Sequence, residues 1–104
     1  MVIPALVVFD LGGTILFGTD VGYTQLYDPT SEYEYMGRSG MTWRDVLASL
    51  TTNPARKFRA RTTGEVKRGY VADLVVLDAD PAADVRNFAS VRYTIRRGKI
   101  IYGK

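Results

Sequence analysis

The stretch Thr14–Gly22, TILFGTDVG, carries the side chain with the best claim to chemistry, Asp20. Ile15, Leu16 and Phe17 run into Gly18, Thr19 and Asp20, and Gly22 follows. A short apolar run with β-branched and aromatic members, closed by Gly and Asp, reads as a buried strand ending in a polar loop. In α/β architectures the carboxyl ends of parallel strands are where reacting groups sit. That reading sets Asp20 at the mouth of a pocket. An Asp after a strand also caps turns with its own side chain, and one carboxylate does not choose between these roles.

Composition removes most of the companions such a carboxylate would need. The 104 residues include no cysteine and no histidine. Disulfides, thiolate metal sites, imidazole bases and His-metal sites are therefore excluded within this chain. No apolar run reaches the roughly 18 residues that span a bilayer. The opening MVIPALVVF has no basic residue before it and Asp10 directly after, a poor signal peptide, and the expected location is cytoplasmic. Charge is uneven. Residues 1–55 hold two basic side chains, Arg38 and Arg44, against six acidic ones, whereas residues 56–104 hold twelve against five. A basic half can serve nucleic acid, a solvated sheet face or an interface rim.

The elements that must position Asp20 come in a definite order. Ala5–Phe9 is a second apolar run, too near Ile15 for both to be parallel strands without a crossover, so Val2–Phe9 reads as helix or strand. The following DLGGT reads as a turn. Tyr23–Pro29 is a loop whose tyrosines suggest packing over something. Thr30 or Ser31 is the expected cap of a helix ended by Gly37 and Gly40. Thr42–Thr51 is the clearest helix, capped by Thr42 with Asp45 as its acid. Trp43, Val46, Leu47 and Leu50 form its expected buried stripe. Asn53 and Pro54 are expected as cap and first residue of a short helix, with Ala55 and Phe58 as its apolar side. Beyond Arg59 the pattern becomes β-like. Ala72–Leu77 reads as a fully buried strand, and Val91–Arg96 with Lys99–Tyr102 as a hairpin turning at Arg97-Gly98.

Taken together, ILFGTDVG (15–22), TTNPARKF (51–58), GEVKRGYVADLVVLDADPAADV (64–85) and VRYTIRRGKIIYGK (91–104) resemble the C-terminal end of the amidohydrolase superfamily. The imidazolonepropionase-like and prolidase-like members are the nearest in pattern. The resemblance implies an α/β fragment: residues 1–60 as the last strand and following helices of a (β/α)8 barrel, and residues 61–104 as the C-terminal strands of a small β-sandwich. As an isolated chain this would be α+β. It implies a parent that hydrolyses amide or cyclic-amide C–N bonds with a divalent metal, zinc by expectation, and a small-molecule substrate. Asp20 corresponds to the aspartate ending the eighth barrel strand, which ligates metal and takes a proton from the attacking water. Thr19, Val21, Gly22 and Tyr23 would help shape the substrate pocket. The family's histidines and its lysine or glutamate ligand have no counterpart here, so the expectation is a fragment without metal or turnover of its own. Strand edges that lack their partners imply self-association.

Two rival readings are carried. VVFDLGGTIL (7–16) resembles the first motif of haloacid-dehalogenase-type phosphatases, which would make Asp10 a nucleophile with Thr14 nearby. Gly12 stands where that family usually has a second acid, and the likeness covers about ten residues. Alternatively, Arg92, Arg96, Arg97 and Lys99 would form a basic binding hairpin with Tyr93 and Tyr102 for stacking, although the alternation puts Tyr93 on the core face with Val91 and Ile95. Membrane partners are not expected and nucleic acid is the lesser expectation.

Overall fold

The computed structural model describes residues 11–19 and 27–104. Among the described residues three helices come first, α1 (Thr30–Arg38), α2 (Trp43–Leu50) and α3 (Thr52–Lys57). They are followed by an antiparallel sheet in the order β1 (Leu74–Leu77), β2 (Val91–Arg96), β3 (Lys99–Gly103), with a 3-10 turn over Val85–Ala89 between β1 and β2. Helices followed by an antiparallel sheet make an α+β arrangement. The expectations placed on Val2–Phe9 lie outside the described residues.

Each helix is started by a different device. The capping box of α2 forms as its sequence requires: the Asp45 N–H donates to the Thr42 hydroxyl, and the Thr42 N–H donates to the Asp45 carboxylate at 2.7 Å. For α1 the cap lies earlier than expected. Thr30 and Ser31 are inside the helix, Pro29 is its N-cap residue, and the Asp28 carboxylate accepts from the Thr30 N–H and hydroxyl. A carboxylate at this end also meets the positive end of the helix dipole. For α3 the expected cap is corrected too. Thr51 is the N-cap residue, Asn53 lies in the first turn and Pro54 is the third helical residue. Proline is tolerated there because the first four N–H groups of a helix have no internal acceptor.

The core is small. Tyr33, Met36, Met41, Val46 and Phe88 are its buried members, and Ile15, Phe17, Trp43, Leu50, Leu77 and Val85 pack around them. Tyr33 stacks on Phe17 with ring centroids 4.9 Å apart and meets Phe88 at 5.5 Å, so it joins the segment before Asp20 to the 3-10 turn. Burial also pushes the Tyr33 phenol above its ordinary pKa.

Several residues expected in the interior are exposed. In α2, Leu47 is 39% exposed and Ser49 takes the buried place, its hydroxyl donating to the Val46 carbonyl at 2.6 Å. Phe58 is 74% exposed, as is the loop tyrosine Tyr27 at 79%. The strand expected to be fully buried has Val75 and Val76 exposed, and β3 is exposed along its length. Among the described residues β1 and β3 are the edges of this sheet, each with a neighbour on one side only.

The hairpin agrees with its sequence. Arg97 and Gly98 both take positive φ, +49° and +79°, the conformation a two-residue turn of this hand demands. β2 keeps Val91, Tyr93 and Ile95 half-buried, with Arg92 and Arg96 exposed.

Candidate functional site

Asp20, Val21, Gly22 and Tyr23 lie outside the described residues, as does Asp10. What the structure describes is the segment that leads to Asp20. Among the described residues, 13–19 have no strand partner, and only Ile15, Phe17 and Thr19 of the expected buried strand are half-buried. Ile15 and Phe17 are half-buried against the core while Leu16 is 39% exposed. Thr19, the last described residue before Asp20, is half-buried.

A strand-like segment without a sheet must place its backbone groups elsewhere. Two contacts do this. The Phe17 N–H donates to the Ser49 carbonyl at 3.0 Å, near the carboxyl end of α2 where helix carbonyls lack internal donors. The Asn53 side-chain amide donates to the Ile15 carbonyl at 3.0 Å, across 38 residues of sequence. Sequence reasoning missed this second contact because Asn before Pro is also a good helix-cap signal. The pair of bonds grips alternate residues of the segment from one side. Phe17 against Tyr33 holds it from another.

An open, largely apolar cleft of about 660 Å³ lies between the helices and the sheet. Leu47, Leu50, Phe58, Val75 and Val91 are among the side chains that face it. Its size is that of a small-molecule site or of a missing structural layer. The carboxylates on its lining, Glu65 and Asp73, do not cluster for metal binding, and the Asp73 carboxylate already accepts the Arg97 N–H at 2.9 Å.

Among the described residues no group of three or more His, Cys, Asp or Glu side chains could hold a metal ion. With no His or Cys in the chain, it offers none of the imidazole or thiolate ligands typical of a zinc site. The basic hairpin is partly neutralised: Arg92 and Lys104 both reach Asp78, at 3.3 and 3.4 Å. The Arg92 guanidinium lies 5.5 Å from the Tyr93 ring centroid, so the aromatic face of Tyr93 is already used within its own strand. No helix of the described residues is long and apolar enough to cross a membrane.

Comparison with known proteins places this arrangement. The chain matches the model of the amidohydrolase family over residues 12–102. It is 34% identical over 79 residues to the dihydroorotase of Clostridium acetobutylicum, covering 60% of this chain and 18% of that protein. It is 31% identical over 99 residues to the ochratoxinase of Aspergillus niger, covering 88% of this chain and 20% of that one. The crystal structure of a Xaa-Pro dipeptidase with methionine bound in its active site superposes with a TM-score of 0.86 at 27% identity, over 95% of this chain and 25% of that chain. The chain thus spans about a fifth of these curated relatives and a quarter of the solved one. Members of this family are generally metal-dependent hydrolases, and none of these matches supports the phosphatase reading of Asp10. A match running almost from end to end, carried by the same fold at close superposition, makes the chain a member of the amidohydrolase family.

Proposed function

We propose that this chain supplies the closing part of a metal-dependent amidohydrolase acting on amide or cyclic-amide C–N bonds. In this reading residues 1–60 are the end of a (β/α)8 barrel, with Ile15–Thr19 as its eighth strand, and residues 61–104 are the C-terminal share of a β-sandwich. The carrying observation is the segment 15–19. Its residues alternate between half-buried and exposed, it has no strand neighbour among the described residues, and it is tied to α2 through the Ser49 carbonyl and to α3 through the Asn53 side chain. A barrel strand separated from its neighbours, with its own helix still packed against it, has this form. The open edges of the sheet and the exposed Phe58, Val75 and Ile100 support it further, as surfaces made for covering layers.

Asp20 follows this strand as the carboxylate that accepts a proton from the attacking water. Thr19, Val21, Gly22 and Tyr23 line the approach to it. The imidazoles that such a site requires come from outside this sequence, so the isolated chain binds no catalytic zinc and turns over no amide. Taken alone, it associates with itself through its open strand edges.

A chimera tests the reading. Residues 12–102 replace the matched segment of the Aspergillus niger ochratoxinase, and zinc-dependent hydrolysis of that enzyme's own substrate is measured. Activity in the chimera and its loss in Asp20→Asn are expected. A chimera equally active with Asp20→Asn would overturn the role of Asp20. A single monomeric boundary in sedimentation of the isolated chain would overturn its self-association.

A further inference from the structure

Helices α1 and α3 end in the same backbone device, built from different residues. After α1, Gly40 has φ +92°, its N–H donates to the Gly37 carbonyl at 3.0 Å, and the Met41 N–H donates to the Met36 carbonyl at 3.3 Å. After α3, Arg59 has φ +55°, its N–H donates to the Arg56 carbonyl at 3.2 Å, and the Ala60 N–H donates to the Ala55 carbonyl at 2.8 Å. This paired closure normally uses glycine as its left-handed residue. Arginine there carries a backbone cost that glycine avoids. A strained residue held in place by its surroundings points to a use for its side chain.

That side chain completes a cationic cleft. Arg56, Arg59 and Arg61 line a depression of about 360 Å³, together with the hydroxyl residues Thr52 and Thr63 and the ring of Tyr70. Arg56 stands in the last turn of α3 and Arg59 in the closure that follows it, and both line the depression. Glu65 is the single acid on the lining. Among the described residues none of the three arginines is ion-paired: the pairs present are Arg86 with Asp84, and Arg92 and Lys104 with Asp78. Lys57, Lys67 and Arg68 add positive charge in the same stretch of sequence. Three guanidiniums without an ion pair among the described residues leave the depression with charge that a multiply charged anion can meet.

We propose that this cleft binds a small molecule carrying a diphosphate group. Planar guanidinium forks match phosphate oxygens two at a time, and three of them exceed what one phosphate needs. The Thr52 hydroxyl adds a donor to the lining, whereas that of Thr63 already donates to the Ala60 carbonyl at 3.4 Å, and the volume lies within the range of small-ligand sites. Free pyrophosphate and a nucleoside diphosphate share this chemistry. Tyr70 distinguishes them: Lys67 lies over its ring at 5.5 Å from the centroid, so a base would stack on the opposite face or displace that ammonium. The site lies apart from the segment leading to Asp20 and does not depend on the hydrolase reading.

Calorimetric titration of the full chain with pyrophosphate, and separately with ADP, tests the assignment. Saturable binding is expected, with ADP the tighter if Tyr70 takes part and equal affinities if phosphate alone is read. The variant R56Q/R61Q should bind pyrophosphate at least about tenfold more weakly, and the charge-matched R38Q/R44Q should stay within about twofold of the native chain. Equal weakening in both variants would reveal a diffuse charge effect and overturn the proposal. So would tighter binding of a single-stranded RNA oligonucleotide with a steep salt dependence. Amide chemical shifts of the native chain give a reading that needs no variant: pyrophosphate should move the signals of residues 52–70, and changes centred elsewhere would overturn the site.

Discussion

Gly64 and Gly69 form a natural pair for measuring how the loop after α3 is held. They share one backbone conformation, φ +87° and +86°. Their surroundings differ. A Cβ on Gly64 would lie 2.8 Å from the Thr51 carbonyl oxygen and 2.9 Å from the Ala55 Cβ, whereas one on Gly69 would meet nothing within 4 Å. Alanine at either site bears the left-handed cost of about 1–2 kcal/mol. At Gly64 it also collides with the first turn of α3, where the Thr51 carbonyl already accepts the Ala55 N–H at 3.2 Å. Neither contact is the free end of a flexible side chain, so an overpacking cost of about 1–3 kcal/mol is added. Gly64→Ala should therefore lose about 2–5 kcal/mol and Gly69→Ala about 1–2. Urea unfolding at one fixed protein concentration reads the difference, because self-association would otherwise shift the midpoint. With a slope of about 1–3 kcal/mol per molar urea, the two midpoints should separate by about 1 M. Equal midpoints would refute the close approach of the loop to α3 and leave only the shared backbone cost.

Other perturbations follow from single contacts. Thr42→Ala should cost about 1 kcal/mol by removing the capping box of α2, read by thermal melting. Asn53→Ala should cost a similar amount, about 1 kcal/mol, and speed amide hydrogen exchange at Phe17 selectively, since the tie to the Ile15 carbonyl is lost. Arg59→Gly should instead stabilise the chain, by up to about 1 kcal/mol, because glycine relieves the left-handed backbone. The hydrogen bond from Arg92, with Lys104 beside it, holds the Asp78 carboxyl below its ordinary pKa. A lowered folded-state value means stability present above the unfolded carboxylate pKa and lost as pH falls through the folded one. Asp78→Asn should flatten the acid limb of a stability–pH curve, modestly because the pair is exposed, and an unchanged limb would count against the pairing.

Local chemistry was legible in the sequence where it is decided locally. The capping box at Thr42, the Arg97-Gly98 turn and the alternation of β2 depend on neighbours a few residues apart, and all three form. Burial was not legible. Leu47, Phe58, Val75 and Val76 are apolar at positions that sequence patterns assign to a core, yet they face an open cleft or lie on an edge strand. Apolar patterning records the layer a side chain is made to meet, whether or not the same chain supplies it. The role of Asn53 was hidden for a different reason. A side chain beside a proline at a helix start has an obvious local task, and its bond to a carbonyl 38 residues away leaves no periodic trace. The Ile15–Phe17 run was expected to be a buried strand; among the described residues its partners are a helix end and a carboxamide.

The exposed strand β3 has a consequence for handling the protein. KIIYG is short, β-prone and open along one side, the type of segment that templates fibrous aggregation. Lys99 opens it and Lys104 follows it, a cationic gatekeeper at each end that discourages stacking in register. Lys104 is partly neutralised by Asp78, so one of the two guards is weakened by the very ion pair that ties down the chain's last residue. Preparations of this chain should therefore turn turbid more readily in sulfate or phosphate buffers that screen the lysines than in dilute chloride.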